Sequence, residues 1–350
     1  MWIYLLIFAV MASGGLFAKS AKEQSIVLGL SAAILVVFMG TRFETGCDYD
    51  TYLLRFSTLY QDTDIRSYLG REEPAFHLLN YAVRSAGLDY MWLNVVASLI
   101  IVICLVRFVR LSSAPALLLS LLFPIIIVQL SMSGLRQALA VAFLLQGVIS
   151  LVERKRFVTA LWILLAAQFH ESAYVFLPLA LMAGRKISMP KMIFALMILG
   201  PIAGVLVSSR IDVYSNRYID QIYGESESGG AIYRYLMVLL PVLLFGWFRG
   251  RIRRIYPKLF EPMKVFALMI VALGGIGFIS TVALHRLTYY MMPMGMLILW
   301  VGSTVVLYRD RASRKLIWAP PFFLGAYLVV WFSTSRHADY CYTPYKSFLF

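Results

Sequence analysis

The chain of 350 residues has few charged side chains and only three cysteines. Asp, Glu, Lys and Arg make up 14% of it and hydrophobic residues 61%, a balance that fits neither a soluble domain nor a disordered chain. Three cysteines are too few for a disulfide-stapled secreted scaffold. The sequence contains no P-loop, dinucleotide fingerprint, GxSxG, HExxH or CxxC motif. The sequence therefore lacks the usual motifs for nucleotide hydrolysis, redox chemistry and zinc chemistry.

What the sequence has instead is a series of apolar stretches bounded by charges. About 20 apolar residues are needed for a helix to cross the hydrocarbon core of a membrane. Ten stretches predict full crossings: residues 2–18, 24–41, 91–109, 115–131, 135–152, 191–207, 232–249, 263–283, 287–308 and 316–332. The sequence therefore predicts an all-α, polytopic helical bundle that forms a single integral membrane domain over residues 1–350.

Residues 157–183 are harder to assign, because His170 and Glu171 interrupt the apolar run near its middle. One long span fits, and so does a helical hairpin that enters and leaves on the same side. Basic residues collect in short cytoplasmic loops. With the hairpin, one side carries 20 basic and four acidic residues in its short loops, at 19–23, 107–110, 153–156, 184–191, 249–264 and 309–315. The charge pattern therefore favours the hairpin, with both chain termini outside.

The opposite, outer face is predicted to carry the larger segments, residues 42–90, 208–231 and 333–350. All its basic residues are arginines except Lys346. Arginine holds phosphate or carboxylate through two parallel hydrogen bonds, which lysine does not. Residues 72–88 have apolar side chains at helical spacing and predict a short helix lying along the membrane surface. These segments are expected to form an external catalytic face.

Three motifs carry groups suited to chemistry. The first is TRFETGCDYDTY, residues 41–52. Here Arg42 either forms an ion pair with Glu44 or Asp48, or belongs to a functional site. Arg136 begins a span and is either snorkelling or set in a polar cavity, which the neighbouring amide of Gln137 favours. His170 lies at the predicted hairpin tip beside a carboxylate, where a histidine moves protons near neutral pH. A packed structural histidine is the alternative.

Further candidates lie in the last third of the chain. His285 and Arg286 pair a titratable group with a fixed cation, and residues 335–346 add Arg336, His337 and Tyr345. Cys47 and Cys341 both lie in outer segments, so an oxidising compartment can join them. The sequence leaves this pairing open, because it does not contain the distance between the two cysteines.

Together these positions resemble the EpsG family of bacterial polysaccharide polymerases, which are related in role to Wzy proteins. The matching residues are Arg42-Phe43, Gly46, Asp48-Tyr49, Tyr52, Glu73-Pro74, Phe76, Arg136-Gln137, Ala140, Phe169-His170, Ser172, Tyr342 and Pro344-Tyr345. Their order and spacing extend over most of the chain. Cys47, where a small or polar residue is expected, is a minor departure.

The resemblance implies a GT-C-type glycosyltransferase of the bacterial cytoplasmic (inner) membrane with its active site facing the periplasm. It is expected to transfer a growing glycan from undecaprenyl diphosphate onto another lipid-linked repeat unit, so that one class of lipid-linked oligosaccharide is both donor and acceptor. Membrane lipid, a flippase and a chain-length regulator are the other expected partners, and nucleic acid is not. Because the donor is already activated, no cofactor is expected. A divalent metal between Asp48 and Asp50 is the alternative.

The expected mechanism combines an arginine clamp with a base. Arg136, Arg42 and Arg286 hold the diphosphate, and His170 or Asp48 takes the proton of the acceptor hydroxyl. His170 is preferred, because an aspartate between arginines is a weakly basic anion. The other residues expected to bind substrate are Tyr49, Tyr52, Glu73, Gln137, His285, Arg336, His337 and Tyr345. A flippase and an O-antigen-ligase-type transferase remain as alternatives.

Overall fold

The computed structural model describes residues 1–59, 66, 71–184, 230–278, 280–307 and 317–349. Over these residues the chain is almost entirely helical. The α-helices are α1 (Trp2–Phe17), α2 (Ala21–Gly40), α3 (Tyr49–Leu59), α4 (Pro74–Ser85), α5 (Tyr90–Val109), α6 (Pro115–Leu122), α7 (Leu135–Val152), α8 (Arg156–Ala167), α9 (Pro178–Met182), α10 (Ala231–Ile255), α11 (Pro257–Gly277), α12 (Thr281–Leu307), α13 (Ala319–Thr334) and α14 (Arg336–Tyr342). A π-helix runs over Phe123–Ser131, a 3₁₀-helix over Glu171–Phe176, and two short strands are β1 (Arg42–Phe43) and β2 (Lys346–Ser347).

Five helices in the described part of the chain, α2, α5, α7, α10 and α11, are long and apolar enough to cross a membrane. Others, such as α1, α8 and α13, are apolar but shorter. The prediction of a helical, multi-pass membrane protein is therefore confirmed, and that of ten full crossings only in part. The predicted span 191–207 and nearly all of the outer segment 208–231 lie outside the described residues.

Residues 157–183 form a hairpin, not one continuous span. Helix α8 ends at Ala167, a turn through His170 follows, and the chain continues as the 3₁₀-helix and α9. The Nε of Arg156 donates a hydrogen bond to the carbonyl oxygen of Ala183 at 3.0 Å, so the two ends of the segment meet. This confirms the hairpin that the charge pattern favoured and excludes the single span.

The described residues belong to two compact units. The first consists of Met1–Gln146, Leu165–Glu171 and Ala312–Phe350, and the second of Gly147–Leu164 and Ser172–Arg311. The sequence predicted a single integral membrane domain, which stays a prediction. Most of the predicted site residues lie in the first unit, and His285 and Arg286 lie in the second.

The helices of the first unit approach each other closely at small residues. A Cβ on Gly15 of α1 would lie 2.6 Å from the backbone nitrogen of Leu117 in α6, so only glycine permits this contact. The buried amide of Gln24 donates to the carbonyl of Gly15 at 2.8 Å and accepts from the backbone of Ala116 at 3.1 Å. Because the NH2 group and the carbonyl group of this side chain are both hydrogen-bonded inside the bundle, Gln24 holds α1, α2 and α6 together.

Helix α6 continues into a π-helix, where the sequence predicted an ordinary span over 115–131. Pro124 has no backbone N–H and cannot continue the α-helical ladder. The backbone of Met132 then donates to Ile127 at 3.2 Å, five residues back. This wider winding ends at the turn that precedes Arg136, and π-helical turns are frequent at functional sites.

The short sheet was not part of the all-α prediction. Strand β1 pairs antiparallel with β2, with Arg42 opposite Ser347. The C-terminal segment is further held by the hydroxyl of Tyr345, which donates to the carbonyl of Phe38 at 2.8 Å, and by stacking of these two rings at 4.8 Å. The chain end thus covers the segment that follows α2.

In the second unit, α10, α11 and α12 pack against one another. A Cβ on Gly295 of α12 would lie 2.9 Å from a side-chain carbon of Val238 in α10, so a larger residue there would force the two helices apart. Small residues at such crossings let apolar helices pack closely in a membrane.

Candidate functional site

The centre of the candidate site is an ion pair between Arg136 and Glu73. Arg136 is the second residue of α7, and its Nη1 lies 2.5 Å from an oxygen of Glu73. The side chains are 33% and 10% exposed, respectively. Arg136 is therefore paired and not snorkelling towards water. Within the described residues its buried Nε has no hydrogen-bond partner, so one donor remains for a further acceptor.

Glu73 is held in an unusual backbone conformation. It precedes Pro74, the first residue of α4, and has a φ of 55° in the left-handed region. A side chain and a following proline both disfavour this conformation, and such strain is concentrated at functional sites. Burial raises the pKa of Glu73, while the charge of Arg136 opposes the shift. The carboxylate of Glu171 adds a smaller upward effect on this pKa.

The turn of the hairpin is fixed to the beginning of α4. The backbone of Ala75 donates to the carbonyl of Gln168 at 3.1 Å, and the backbone of Glu171 hydrogen-bonds Glu73. The ring of Phe169 stacks on Phe143 of α7 at 5.0 Å. His170 thus lies between Gln168, which contacts the first turn of α4, and Glu171, which contacts Glu73, in the same unit as Arg136.

Tyr52 joins α3 to this centre. It is 6% exposed, its hydroxyl lies 3.5 Å from the backbone nitrogen of Arg136, and its ring packs on Phe76 of α4 at 5.7 Å. Asp48, one turn earlier, is exposed, and its backbone carbonyl oxygen accepts from the backbone N–H of Tyr52 at 3.0 Å. The described residues contain no group of three side chains able to hold a metal ion, and a metal between Asp48 and Asp50 stays a prediction.

His77 belongs to the centre as well, although the sequence indicated only a polar position on a surface helix. It lies one turn after Glu73 in α4. Burial, together with the charges of Arg71, Arg136 and Arg55, lowers the pKa of His77 to about 4. Its imidazole is therefore neutral at pH 7 among three guanidinium groups. No pattern in the sequence distinguishes it from the other polar positions of this helix.

Arg42 is buried, which the sequence did not indicate. It is 1% exposed and its Nη1 donates to the carbonyl of Met39 at 2.7 Å, at the C-terminal end of α2, where a cation is favoured by the helix dipole. The ion pair considered for it with Glu44 is absent among the described residues, since Glu44 pairs with Lys346. Arg42 is the first residue of β1, and because its side chain is buried, reaching a lipid diphosphate would require the groups that cover it to move.

The chain end is joined covalently to the first loop. Cys47 and Cys341 form a disulfide, which answers the question that the sequence left open. The backbone of Gly46 donates to the carbonyl of Cys341 at 2.6 Å, and Gly46 has a φ of 108°. A Cβ on Gly46 would clash with the carbonyl oxygen of Met132. The loop therefore docks directly on the turn that precedes Arg136.

We expect Cys341→Ser to lower the stability of the protein, because the disulfide spans 294 residues and restricts the unfolded chain. Loss of such a bridge costs about 2–5 kcal/mol, which a drop in the thermal unfolding midpoint measures. The free thiol Cys104 lies in α5 away from the bridge, and Cys104→Ala serves as the control. Alkylation of the denatured, unreduced protein should modify one thiol, and modification of all three would contradict the disulfide.

The remaining predicted residues have different surroundings. Gln137, beside Arg136, is 7% exposed, and Tyr49 is 3% exposed and packs edge-on against Tyr90 at 5.2 Å. Arg336 and His337 are exposed at the start of α14. Tyr345 donates to a backbone carbonyl, as described above. The substrate contacts predicted for these residues stay predictions.

His285 and Arg286 belong to the second unit, at the beginning of α12. The Nε2 of His285 lies 3.1 Å from the hydroxyl of Tyr289, and the guanidinium of Arg234 lies 5.6 Å from the centre of the same ring. Tyr290, the next residue, shares a hydrogen bond of 2.9 Å with Ser172. The second unit thus has a polar cluster of its own, and the predicted role of Arg286 at the diphosphate stays a prediction.

The fold and the site define a class: a multi-pass helical membrane protein with a half-buried arginine, a buried carboxylate and a neutral imidazole grouped where α3, α4 and α7 meet. The EpsG family model matches residues 25–347, and the chain belongs to the EpsG family. No curated protein and no solved structure matches the chain. The family is associated with polymerases of glycosyltransferase type in membrane polysaccharide biosynthesis.

Proposed function

We propose that this protein is a GT-C-type polysaccharide polymerase that transfers a glycan from undecaprenyl diphosphate onto a sugar hydroxyl of another lipid-linked repeat unit. The observation that carries this proposal is the Arg136–Glu73 pair, set beside Tyr52 and His77 at the start of α7. Membership of the EpsG family supports the class of reaction.

The diphosphate of the donor needs a fixed positive charge beside it. Glu73 orients the guanidinium of Arg136 in advance, and Arg71 and Arg55 add positive charge around His77. Charge that grows on the diphosphate as the glycosidic bond breaks is stabilised by such oriented groups by about 3–4 kcal/mol for each donor. Because the leaving group is already a stable anion, the reaction needs no nucleotide. Because Arg42 is buried, its role would be to hold the first loop in place and not to contact the diphosphate directly.

The acceptor hydroxyl needs a base beside this anion. His170, in the hairpin turn, and Asp48, before α3, are the bases that the sequence predicted, and both belong to the unit that contains Arg136. Attack from the face opposite the diphosphate would invert the anomeric centre. Exposed aromatic and charged side chains of the chain end, such as Arg336 and His337, would contact the glycan.

The disulfide supports an outward-facing site. Disulfides persist in oxidising compartments, and Cys47–Cys341 lies in the loop that docks beside Arg136. We therefore assign the site to the periplasmic face of the bacterial inner membrane, with the basic loops facing the cytoplasm. A flippase that supplies the repeat unit and a chain-length regulator are the partners that such a reaction needs.

A synthetic undecaprenyl-diphosphate-linked repeat unit, added to the purified protein in detergent, tests this function. We expect a ladder of lengthened products, which Arg136→Ala should lack and Arg110→Ala, an exposed arginine outside the site, should retain. A chelator should leave the ladder intact, whereas its loss would favour the metal-dependent alternative. A flippase would give no ladder, and a ligase would give product only with a different acceptor. Either result would contradict the proposal.

A further inference from the structure

We infer that a groove between α10 and α11 binds phosphatidylglycerol, an anionic phospholipid, from the cytoplasmic leaflet of the membrane. The groove belongs to the second unit and reaches the end of α10, where the basic segment 249–264 begins. The sequence predicts this segment on the cytoplasmic side. None of the residues assigned to the transferase lines the groove, so lipid binding here does not depend on the proposed reaction.

The groove is as deep as one leaflet of the membrane. Its volume is about 570 Å³, and it extends from Val242 to Arg253 on α10 and from Phe260 to Val271 on α11. Each stretch covers about 16 Å along its helix, at about 1.5 Å per residue. The hydrocarbon core of a membrane is about 30 Å thick, so this length corresponds to half of it. An acyl chain that enters from one surface fits such a groove.

Charged and apolar side chains lie at opposite ends of the groove. Val242 and Val271 line the end furthest from the connection between the two helices. Arg249, Arg253 and Lys264 line the end nearest to it. Basic pockets between membrane helices on the cytoplasmic side bind anionic lipid headgroups. The order of the side chains therefore matches a phosphate at the membrane surface with its acyl chain below.

The positive charge at this end exceeds the negative charge. Three cations and one carboxylate line the groove, which leaves a net charge of +2. The carboxylate is Glu261, which lies 3.7 Å from the Nζ of Lys264. Within the described residues Arg249 and Arg253 have no acidic partner, and the guanidinium of Arg253 lies 5.7 Å from the centre of the Phe260 ring. A phosphate group offsets this charge and accepts hydrogen bonds from both arginines.

Glu261 also indicates which headgroup fits. Its Oε2 is buried and has no hydrogen-bond partner in the part of the chain that the structure describes, since Lys264 at 3.7 Å is beyond hydrogen-bonding distance. A buried acceptor without a donor is costly. The glycerol headgroup of phosphatidylglycerol donates through a hydroxyl next to its phosphate. Phosphatidylcholine has no such donor, and phosphatidylethanolamine has no net negative charge to offset the arginines.

Two glycines of α10 leave space inside the groove. Gly246 and Gly250 both line it, and a Cβ at either position would meet nothing within 4 Å. Glycine inside a helix is destabilising, and among the described residues no close helix contact requires it at these two positions. The absence of side chains here keeps the groove open along α10.

Lipid binding to the full-length protein in detergent tests the site. Added phosphatidylglycerol should raise the thermal unfolding midpoint, whereas phosphatidylcholine and phosphatidylethanolamine should not. Arg249→Gln with Arg253→Gln should raise the Kd about 30-fold, since each basic residue near an anionic lipid contributes about 1 kcal/mol. Arg251→Gln with Arg254→Gln removes the same charge from another face of the same helix end. At about 0.15 M salt, where distant charges are screened, this control should raise the Kd less than about threefold.

Filling the groove gives a second test that leaves the charge unchanged. Gly246→Leu places a side chain in open space, so the variant should fold as wild type does and lose the stabilisation by phosphatidylglycerol. Gly275→Leu, at an open glycine of α11 that does not line the groove, should keep it. Equal weakening by the two arginine pairs would show only a general attraction to anionic lipid. That result, undiminished binding in Gly246→Leu, or equal stabilisation by phosphatidylethanolamine would each overturn the site.

Discussion

Replacing Arg136 by alanine is expected to abolish polymer formation. The substitution removes the guanidinium that would stabilise the leaving diphosphate, and removal of one such oriented donor lowers kcat about 10²–10³-fold. It also leaves the carboxylate of Glu73, 10% exposed, without its cation. An uncompensated buried charge costs about 3–5 kcal/mol, so stability should fall together with activity. Product length in detergent and the thermal unfolding midpoint measure the two effects.

A double variant separates catalysis from stability at this pair. Arg136→Gln alone leaves the Glu73 carboxylate unpaired, whereas Arg136→Gln with Glu73→Gln places two neutral amides within hydrogen-bonding distance. We expect the double variant to regain most of the lost unfolding midpoint and none of the elongation. Normal polymer from Arg136→Ala would remove this arginine from the site. Recovery of activity in the double variant would show that the pair is only structural.

Replacing Gly46 by alanine is expected to disrupt the site, although Gly46 is not one of its polar residues. The φ of 108° alone costs about 1–3 kcal/mol for a residue with a side chain. The added Cβ would also clash with the carbonyl of Met132, a backbone atom that cannot move without shifting the turn before Arg136. We expect a low yield of folded protein and little elongation from what folds, measured by size-exclusion profile, unfolding midpoint and product ladder.

Two other glycines provide matched controls for this prediction. Gly29 in α2 has open space and an ordinary φ, so Gly29→Ala should be neutral or stabilise by about 0.5–1 kcal/mol. Gly87 also has open space but a φ of 72°, so Gly87→Ala should show the backbone strain without the clash. If Gly46→Ala behaves as Gly29→Ala does, the close docking of the first loop is wrong.

The helices were the part of the fold that the sequence could predict. Span 135–152 coincides with α7, and most other predicted spans differ from their helices by a few residues, because bilayer thickness sets the length of an apolar run. The hairpin followed from the distribution of charge. The sheet of β1 and β2 could not be predicted, since strands of two residues have no periodicity and their pairing depends on how the chain end docks.

The site was predicted as separate residues but not as an arrangement. Arg136 and Glu73 were both candidates, yet they are 63 residues apart and only tertiary packing brings them together. The left-handed backbone of Glu73 is likewise invisible in a sequence. His77 was missed because a polar side chain on an amphipathic helix usually faces water. Arg42 was expected near substrate, and it is buried in β1, which pairs with the chain end.

The location of the diphosphate is the claim that most directly needs a measurement. An undecaprenyl diphosphate analogue with a photoreactive group beside the diphosphate can be crosslinked to the full-length protein in detergent, and the labelled peptides then mapped. We predict labelling within residues 71–77 and 132–137, which unlabelled lipid diphosphate and Arg136→Ala should both suppress. Labelling confined to other segments, or labelling that persists under competition, would contradict a diphosphate site at Arg136.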